Sequence, residues 1–230
     1  MLDNHTFYML GPARPRSAQP KKTRASTFSY SHSPSQNINT RGLFMPKQVK
    51  LGSLISLGEH WLLCGDSRNP QHIALLMKEE LAEAVITDPP YDANYQDTHG
   101  NGIKNDLLSV RRYKDLLFQS FSNSINHSKR GAAFDSFFRN KRHGPWNVCN
   151  QTGAPSSWYS DRKQTTLLQF PIEVKDRIHP TQKPKELIKY LLKNSTKEGD
   201  IVLDSFVGSG STLFACEEMG RKAFICDDWP

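Results

Sequence analysis

Asp88-Pro89-Pro90-Tyr91 is a segment of this 230-residue chain whose residue types can do chemistry together. It follows Ala84-Val85-Ile86-Thr87, an apolar, β-branched run that predicts a strand. Asp88 therefore falls at the carboxyl end of a strand, where α/β sheets place their ligands. Two consecutive prolines fix φ and supply no N–H, which gives the Pro89 carbonyl a rigid direction. A carboxylate and a carbonyl held side by side can accept both N–H bonds of an amine carried on an aromatic ring. That grip favours a tetrahedral nitrogen and frees the lone pair that the ring otherwise delocalises. The face of Tyr91 offers a surface on which such a ring can stack. Asp88, Pro89, Pro90 and Tyr91 are accordingly the candidate catalytic loop. Asp-Pro-Pro is also a common turn, so the motif alone keeps a plain structural reading.

A second constellation runs from Asp204 to Thr212 as Asp-Ser-Phe-Val-Gly-Ser-Gly-Ser-Thr. Gly208 and Gly210 let the backbone turn sharply and approach a ligand, because neither carries a Cβ. Asp227, at the end of the next apolar run, can accept both hydroxyls of a ribose. This pattern fits a nicotinamide cofactor or S-adenosylmethionine. Two details favour the methyl donor. The turn lacks the third glycine of a dinucleotide site. Asp204 at the strand end would repel a pyrophosphate but attract an ammonium.

The elements that must carry these residues follow an α/β order. His60 to Cys64 predicts a strand ending in Gly65-Asp66-Ser67, and Pro70 opens a helix through about Glu80 that buries Ile73, Leu75, Leu76 and Met77. Tyr113 to Ile125 is predicted helical, with Leu116, Leu117, Phe121 and Ile125 on one side, and Gly131 to Phe138 as a strand. A polar loop fills Asp92 to Asn105, and Arg139 to Ser160 shows little periodicity. From Pro184, Leu187, Ile188, Leu191 and Leu192 recur at helical spacing. Ile201 to Leu203 is a strand, Ser211 to Met219 a helix capped by Gly220, and Ala223 to Cys226 a strand. Strand, glycine turn, helix, strand and acid make one half of a nucleotide-binding sheet.

The charge is unevenly placed. The formal net charge is +7, and residues 1–50 carry all of it, with eight Lys/Arg against Asp3. This Ser-, Pro- and Asn-rich stretch is expected to be mostly disordered, a basic tail able to neutralise phosphates. Residues 51–230 form the expected folded domain. There is no apolar run long enough to span a bilayer and no secretory leader. Cys64, Cys149, Cys216 and Cys226 lack CxxC spacing, which speaks against zinc or a disulfide framework and for a reduced, cytoplasmic protein.

Together these motifs resemble the DNA adenine-N6/cytosine-N4 methyltransferase family, in the circularly permuted arrangement where the catalytic loop precedes the cofactor turn. His179-Pro180-Thr181-Gln182-Lys183-Pro184, followed by an amphipathic helix and the strand into Asp204, resembles the family's run closely. Trp158 to Thr166 and Leu63 to Ser67 resemble phage- and prophage-type members. The similarity covers about 51–134 and 153–230. It implies a Rossmann-like α/β sheet of the S-adenosylmethionine-dependent methyltransferases. Asp88, Pro89, Pro90 and Tyr91 would serve the target base. Asp204, Phe206, Gly208, Gly210, Thr212 and Asp227 would hold S-adenosylmethionine, with Asp66 near its adenine and Thr181 and Lys183 at its carboxylate. The resemblance implies double-stranded DNA as partner and a bacterial or phage-encoded cytoplasmic enzyme without a metal, with a homodimer or a restriction partner as further family arrangements. Aspartate before Pro-Pro-Tyr tilts the target toward adenine N6.

The chain departs from the family in one stretch. Phe134 and Trp158 stand only 24 positions apart, where the family has a helix, strands and part of the target-recognition region. Residues 135–160 therefore read as a shortened target-recognition or linker region, and the sheet as incomplete. Val207 also stands where a glycine is common. Three readings follow: an active adenine methyltransferase, a remnant that binds DNA or donor without catalysis, and a dinucleotide oxidoreductase, which leaves the Pro-Pro-Tyr loop unexplained.

Overall fold

Short apolar strands buried on both faces build the centre of the protein. The structure, a computed structural model, describes residues 6–10, 49–90, 108–136, 157–161, 167–171 and 183–228. Its main sheet contains β2 (Leu54–Leu57), β3 (His60–Cys64), β4 (Ala82–Thr87), β5 (Ser128–Ser136), β7 (Ile201–Asp204) and β8 (Lys222–Asp227). The spatial order is β2-β3-β8-β7-β4-β5. β2 and β3 form an antiparallel hairpin, and every other pairing is parallel. The α/β expectation is met by this mixed six-stranded sheet. β7 and β8, late in the sequence, are inserted between β3 and β4.

Period-two alternation sends side chains to two cores. Leu62, Ile86, Val202, Ala223 and Ile225 face one cluster, completed by Leu187, Ile188, Leu191 and Leu192 of α3 (Lys185–Ser195) and Ala215 and Cys216 of α4 (Ser211–Glu218). Leu63, Val85, Leu203, Phe224 and Cys226 face the other, under Ile73, Leu76 and Met77 of α1 (Pro70–Met77) and beside Phe121 and Ile125 of α2 (Val110–Asn126). Leu203 is fully buried on a central strand, so Leu203→Ala would cost about 2–5 kcal/mol.

Several elements differ from the sequence expectation for identifiable reasons. α1 ends at Met77, not Glu80, because Lys78 and Glu79 adopt positive φ (50° and 71°). Leu75 is 44% exposed and not part of its buried face. α2 starts three residues before Tyr113, where the Ser109 side chain accepts from the Arg112 amide. Its fully buried positions are Tyr113, Leu116, Ser120, Asn123 and Ser124; Leu117, Phe121 and Ile125 are only partly covered. Met219 takes the cap position of α4, and Gly220 follows it at φ 67°.

Within the expected tail, Thr6–Leu10 forms β1, antiparallel to β6 (Leu167–Pro171), so this part of 1–50 is a strand and not a structureless leader. Thr-Phe-Tyr-Met-Leu is rich in strand-favouring side chains, but its partner lies far along the sequence and no local pattern announces it. β6 joins the main body through Phe170, whose ring meets Tyr190 of α3 edge-on at 5.9 Å. The expected disordered character of the rest of 1–48, the 92–105 loop, and residues 137–156 of the shortened region lie outside the described residues. Among the described residues no helix is long and apolar enough to cross a membrane, and no cluster of three or more His, Cys, Asp or Glu could hold a metal ion.

Candidate active site

Parallel strands bring four carboxylates to one end of the sheet. Register pairs Cys64 with Asp227, Asp204 with Ile225 and Val85 with Leu203. Asp66, Asp227, Asp204 and Asp88 thus follow one another across the carboxyl ends of β3, β8, β7 and β4. That edge is where such sheets bind ligands. The two candidate loops are neighbours through the β4–β7 pairing, although 117 residues separate Thr87 from Asp204.

The glycine turn is held from both sides. Gly208 at φ 50° and Gly210 at φ 76° occupy left-handed backbone that L side chains adopt only under strain. A Cβ on Gly208 would meet nothing within 4 Å, so the backbone there borders open space. The Gly208 amide donates to Asp227 Oδ2 at 3.0 Å, and the Asp228 amide donates to Asp227 Oδ1 at 2.8 Å. Val207, where a glycine was expected, is 7% exposed and fills the core beneath the turn. Phe206 is half-buried above it.

Asp204 is held from within the fold. It is 2% exposed, and its Oδ1 accepts from Thr87 Oγ1 at 2.9 Å and from the Phe206 amide at 3.1 Å. Thr212, itself buried, adds a side-chain hydrogen bond. Burial pushes the carboxyl up to about 6, against the hydrogen bonds that favour its ionised form. The carboxylate is engaged inside the fold, where it braces the turn from within.

Asp66 lies on the surface side of the same edge. Burial raises its carboxyl, but hydrogen bonds from the Arg68 side chain and backbone amide outweigh that and leave it below the ordinary carboxylate value. Arg68 grips both oxygens, at 2.9 Å from Nε and 2.7 Å from Nη2. The Asp66 amide donates to His72 Nδ1 at 2.9 Å, fixing the loop to α1.

Lys183 also departs from expectation. Its ammonium, 7% exposed, forms an ion pair with Asp88 Oδ2, whereas the sequence had placed it at a ligand carboxylate. The structure therefore brings Lys183 to the Asp-Pro-Pro loop. Pro89 is buried and Pro90 half-buried. Tyr91 and Thr181 lie outside the described residues, as do His179 to Gln182.

Sequence reasoning missed the groups that hold these loops. Tyr113 donates its hydroxyl to the Pro90 carbonyl at 2.8 Å. Ser124 meets Ser205 of the glycine turn at 2.7 Å between hydroxyl oxygens. A signal was present: Ser120, Asn123 and Ser124 interrupt an otherwise apolar helix face and thereby mark a polar contact.

A mixed, mostly parallel sheet carries a left-handed glycine turn, an acid on the adjoining strand and an Asp-Pro-Pro loop at one end, which defines an α/β domain with its candidate residues at the carboxyl ends of the strands. Residues 122–228 match the family model N6_N4_Mtase, DNA methylase. It is 52% identical over 44 residues to the type II methyltransferase M2.DpnII of Streptococcus pneumoniae, which is 19% of this chain and 16% of that protein. It is 49% identical over 49 residues to the type II methyltransferase M.HpaI of Haemophilus parainfluenzae, 21% of this chain and 16% of that protein. The matched stretches thus span about a sixth of these relatives. Among solved structures, the M1.HpyAVI–SAM complex aligns over 74% of this chain and 93% of that one, at 16% identity and TM-score 0.45. The PvuII DNA methyltransferase, cytosine-N4-specific, aligns over 76% and 84%, at 15% identity and TM-score 0.47. Both likenesses are too loose to carry a conclusion about this chain.

Proposed function

We propose that the chain is an S-adenosylmethionine-dependent DNA methyltransferase of the catalytic-loop-first type, acting on the exocyclic N6 of adenine in double-stranded DNA. The observation that carries the reading is the adjacency of two remote segments. The Asp-Pro-Pro loop and the glycine turn stand at the carboxyl ends of the paired strands β4 and β7, joined by the Thr87–Asp204 hydrogen bond. The match of residues 122–228 to the DNA methylase family model supports the reaction class. Aspartate before Pro-Pro supports adenine over cytosine N4.

The residues present fit a nucleoside-bearing donor. The open backbone at Gly208 leaves room for close approach, and Asp227 beside it suits a ribose. Asp66 stands one strand further, toward the expected adenine. When bound, S-adenosylmethionine supplies an electrophilic methyl on a sulfonium. The chain's part is to turn the amine toward it. Asp88 and the Pro89 carbonyl would each accept one N–H of the target amine, which favours a tetrahedral nitrogen. The amine is its own nucleophile, so the N–C bond forms as the S–C bond breaks, without a covalent enzyme intermediate. Asp88 can receive the surplus proton, and Lys183 beside it balances the carboxylate charge.

A second reading is a family member that keeps the sites without transferring methyl; the short Phe134–Trp158 spacing favours it. Titration of the folded protein with S-adenosylmethionine tests the donor site, and labelled donor with mixed-sequence duplex DNA tests transfer. Nucleoside analysis should show N6-methyladenine. Binding without transfer selects the second reading; N4-methylcytosine overturns the adenine assignment; absence of donor binding overturns the methyltransferase reading.

A further inference from the structure

One helix touches three of the four strand-end loops of the candidate site, and it does so through polar side chains on a single buried face. Tyr113, 2% exposed, donates to the Pro90 carbonyl at 2.8 Å. Asn123 Nδ2 donates to the Ser67 carbonyl at 2.9 Å and to the Arg68 carbonyl at 2.8 Å, and Ser120 meets the Ser67 hydroxyl at 2.8 Å. Ser124 donates to the Ser120 carbonyl at 2.9 Å, which spends its proton, so the 2.7 Å contact is donated by Ser205. Tyr113, Ser120 and Ser124 are spaced by seven and four residues and fall on one stripe of α2. At 1.5 Å per residue the stripe is about 16 Å long, enough to reach from the Asp-Pro-Pro loop to the glycine turn.

These contacts are not what a core helix needs for stability. An apolar stripe would cover the sheet at less desolvation cost, and buried hydroxyls and amides are kept only when satisfied. Apart from the Ser124–Ser120 bond within the helix, each of these bonds ends on a loop backbone or loop hydroxyl within two residues of a candidate functional group: Asp66, Asp204 or Pro89. None ends on the sheet itself.

We infer that α2 is the positioning bar of the site. Tyr113 sets the Asp-Pro-Pro loop, while Ser120, Asn123 and Ser124 set the two donor-side loops, so one rigid element fixes the distance between base and methyl donor. The inference rests on the proposed methyltransferase reading for what the loops do, but the tethering can be read without activity. Tyr113 is a positioning residue, acting through the Pro90 carbonyl.

The test uses the full chain with Tyr113→Phe, Ser124→Ala and, as a control for simple destabilisation, Leu116→Ala. Amide exchange without donor or DNA comes first. Tyr113→Phe should accelerate exchange in the peptide spanning 84–91, and Ser124→Ala in the peptide spanning 204–211. Leu116→Ala should not single out either. Uniform acceleration, or none, overturns the inference whether or not the protein is an enzyme. With S-adenosylmethionine and duplex DNA, Tyr113→Phe should lower the single-turnover transfer rate by at least about tenfold while changing donor affinity less than about twofold. Ser124→Ala should do the reverse, weakening the donor and leaving the saturated rate near wild type. Equal effects of both variants on both quantities overturn the division of roles. Failure of the unsubstituted protein to bind donor counts against the methyltransferase reading alone, since the exchange result stands apart from it.

Discussion

The Lys183 ammonium closes on the Asp88 carboxylate across 95 residues of sequence, and the cation is the more deeply buried partner, 7% exposed against 24%. Removing the carboxylate takes a counter-charge from the more buried ammonium; removing the lysine leaves a carboxylate that water still reaches. Asp88→Ala should therefore destabilise more than Lys183→Met, by about 3 kcal/mol against about 1 kcal/mol. The double variant should recover part of the larger loss. Chemical denaturation of the four proteins checks this, and a strictly additive cycle would show that the pair does not couple. Under the proposed function, Asp88→Ala should also abolish methyl transfer while leaving donor binding largely intact.

Gly208→Ala separates strain from sterics. A Cβ there has open space, so the only local cost is the left-handed φ of 50°, about 1–2 kcal/mol. Thermal melting should fall accordingly. Because the open space is the proposed donor's, S-adenosylmethionine affinity should fall further than stability does. Unchanged affinity in a folded variant would place the donor elsewhere.

Asp135 on β5 gives a pH prediction. Burial pushes its carboxyl from 3.8 to about 6. Between those values the folded protein keeps a proton that the unfolded chain has released, so this contribution to stability falls as pH rises and is constant outside the window. Asp135→Asn carries no such proton. Its unfolding free energy relative to wild type, from denaturant titrations, should be pH-independent below about 4, rise between about 4 and 6, and level off, a change of about 1–3 kcal/mol. A difference that stays flat across pH 4–7 would contradict the assignment.

Thr87→Val removes one donor from Asp204 while keeping the side-chain shape. The lost bond matters most when Asp204 is ionised, above about 6. The variant should be close to wild type at pH 5 and destabilised by about 1–2 kcal/mol at pH 8, as read by denaturant midpoints. A loss larger at pH 5 than at pH 8 would reverse the account.

How much of this was legible in the sequence depended on the range of the interaction. His60 to Cys64, Ala84 to Thr87, Ile201 to Leu203 and Ala223 to Cys226 were readable because strands buried on both faces appear as continuous apolar runs. Gly208 and Gly210 were readable because positive φ leaves a residue-type trace. Leu54 to Leu57 was missed, since a four-residue edge strand with an exposed Ser56 carries little pattern. The burial of Asp204 and the Lys183–Asp88 pair were missed because a carboxylate at a strand end reads as ligand-facing until its neighbours are known. Ser120, Asn123 and Ser124 carried a weaker trace: their break in the apolar face marks a polar contact without naming the loop it meets.

The insertion of β7 and β8 between β3 and β4 has a consequence for how the molecule comes into being. During synthesis β3 and β4 emerge long before the strands that separate them, and neither can find its inner parallel partner until residues 201–227 have left the ribosome. Until then His60–Cys64 and Ala82–Thr87 are apolar edges without cover, a state prone to association. Pairings this distant in sequence also close slowly. Residues 201–227 are thus the keystone of a sheet whose other strands are made before them, and the yield of folded protein should depend on chaperone supply.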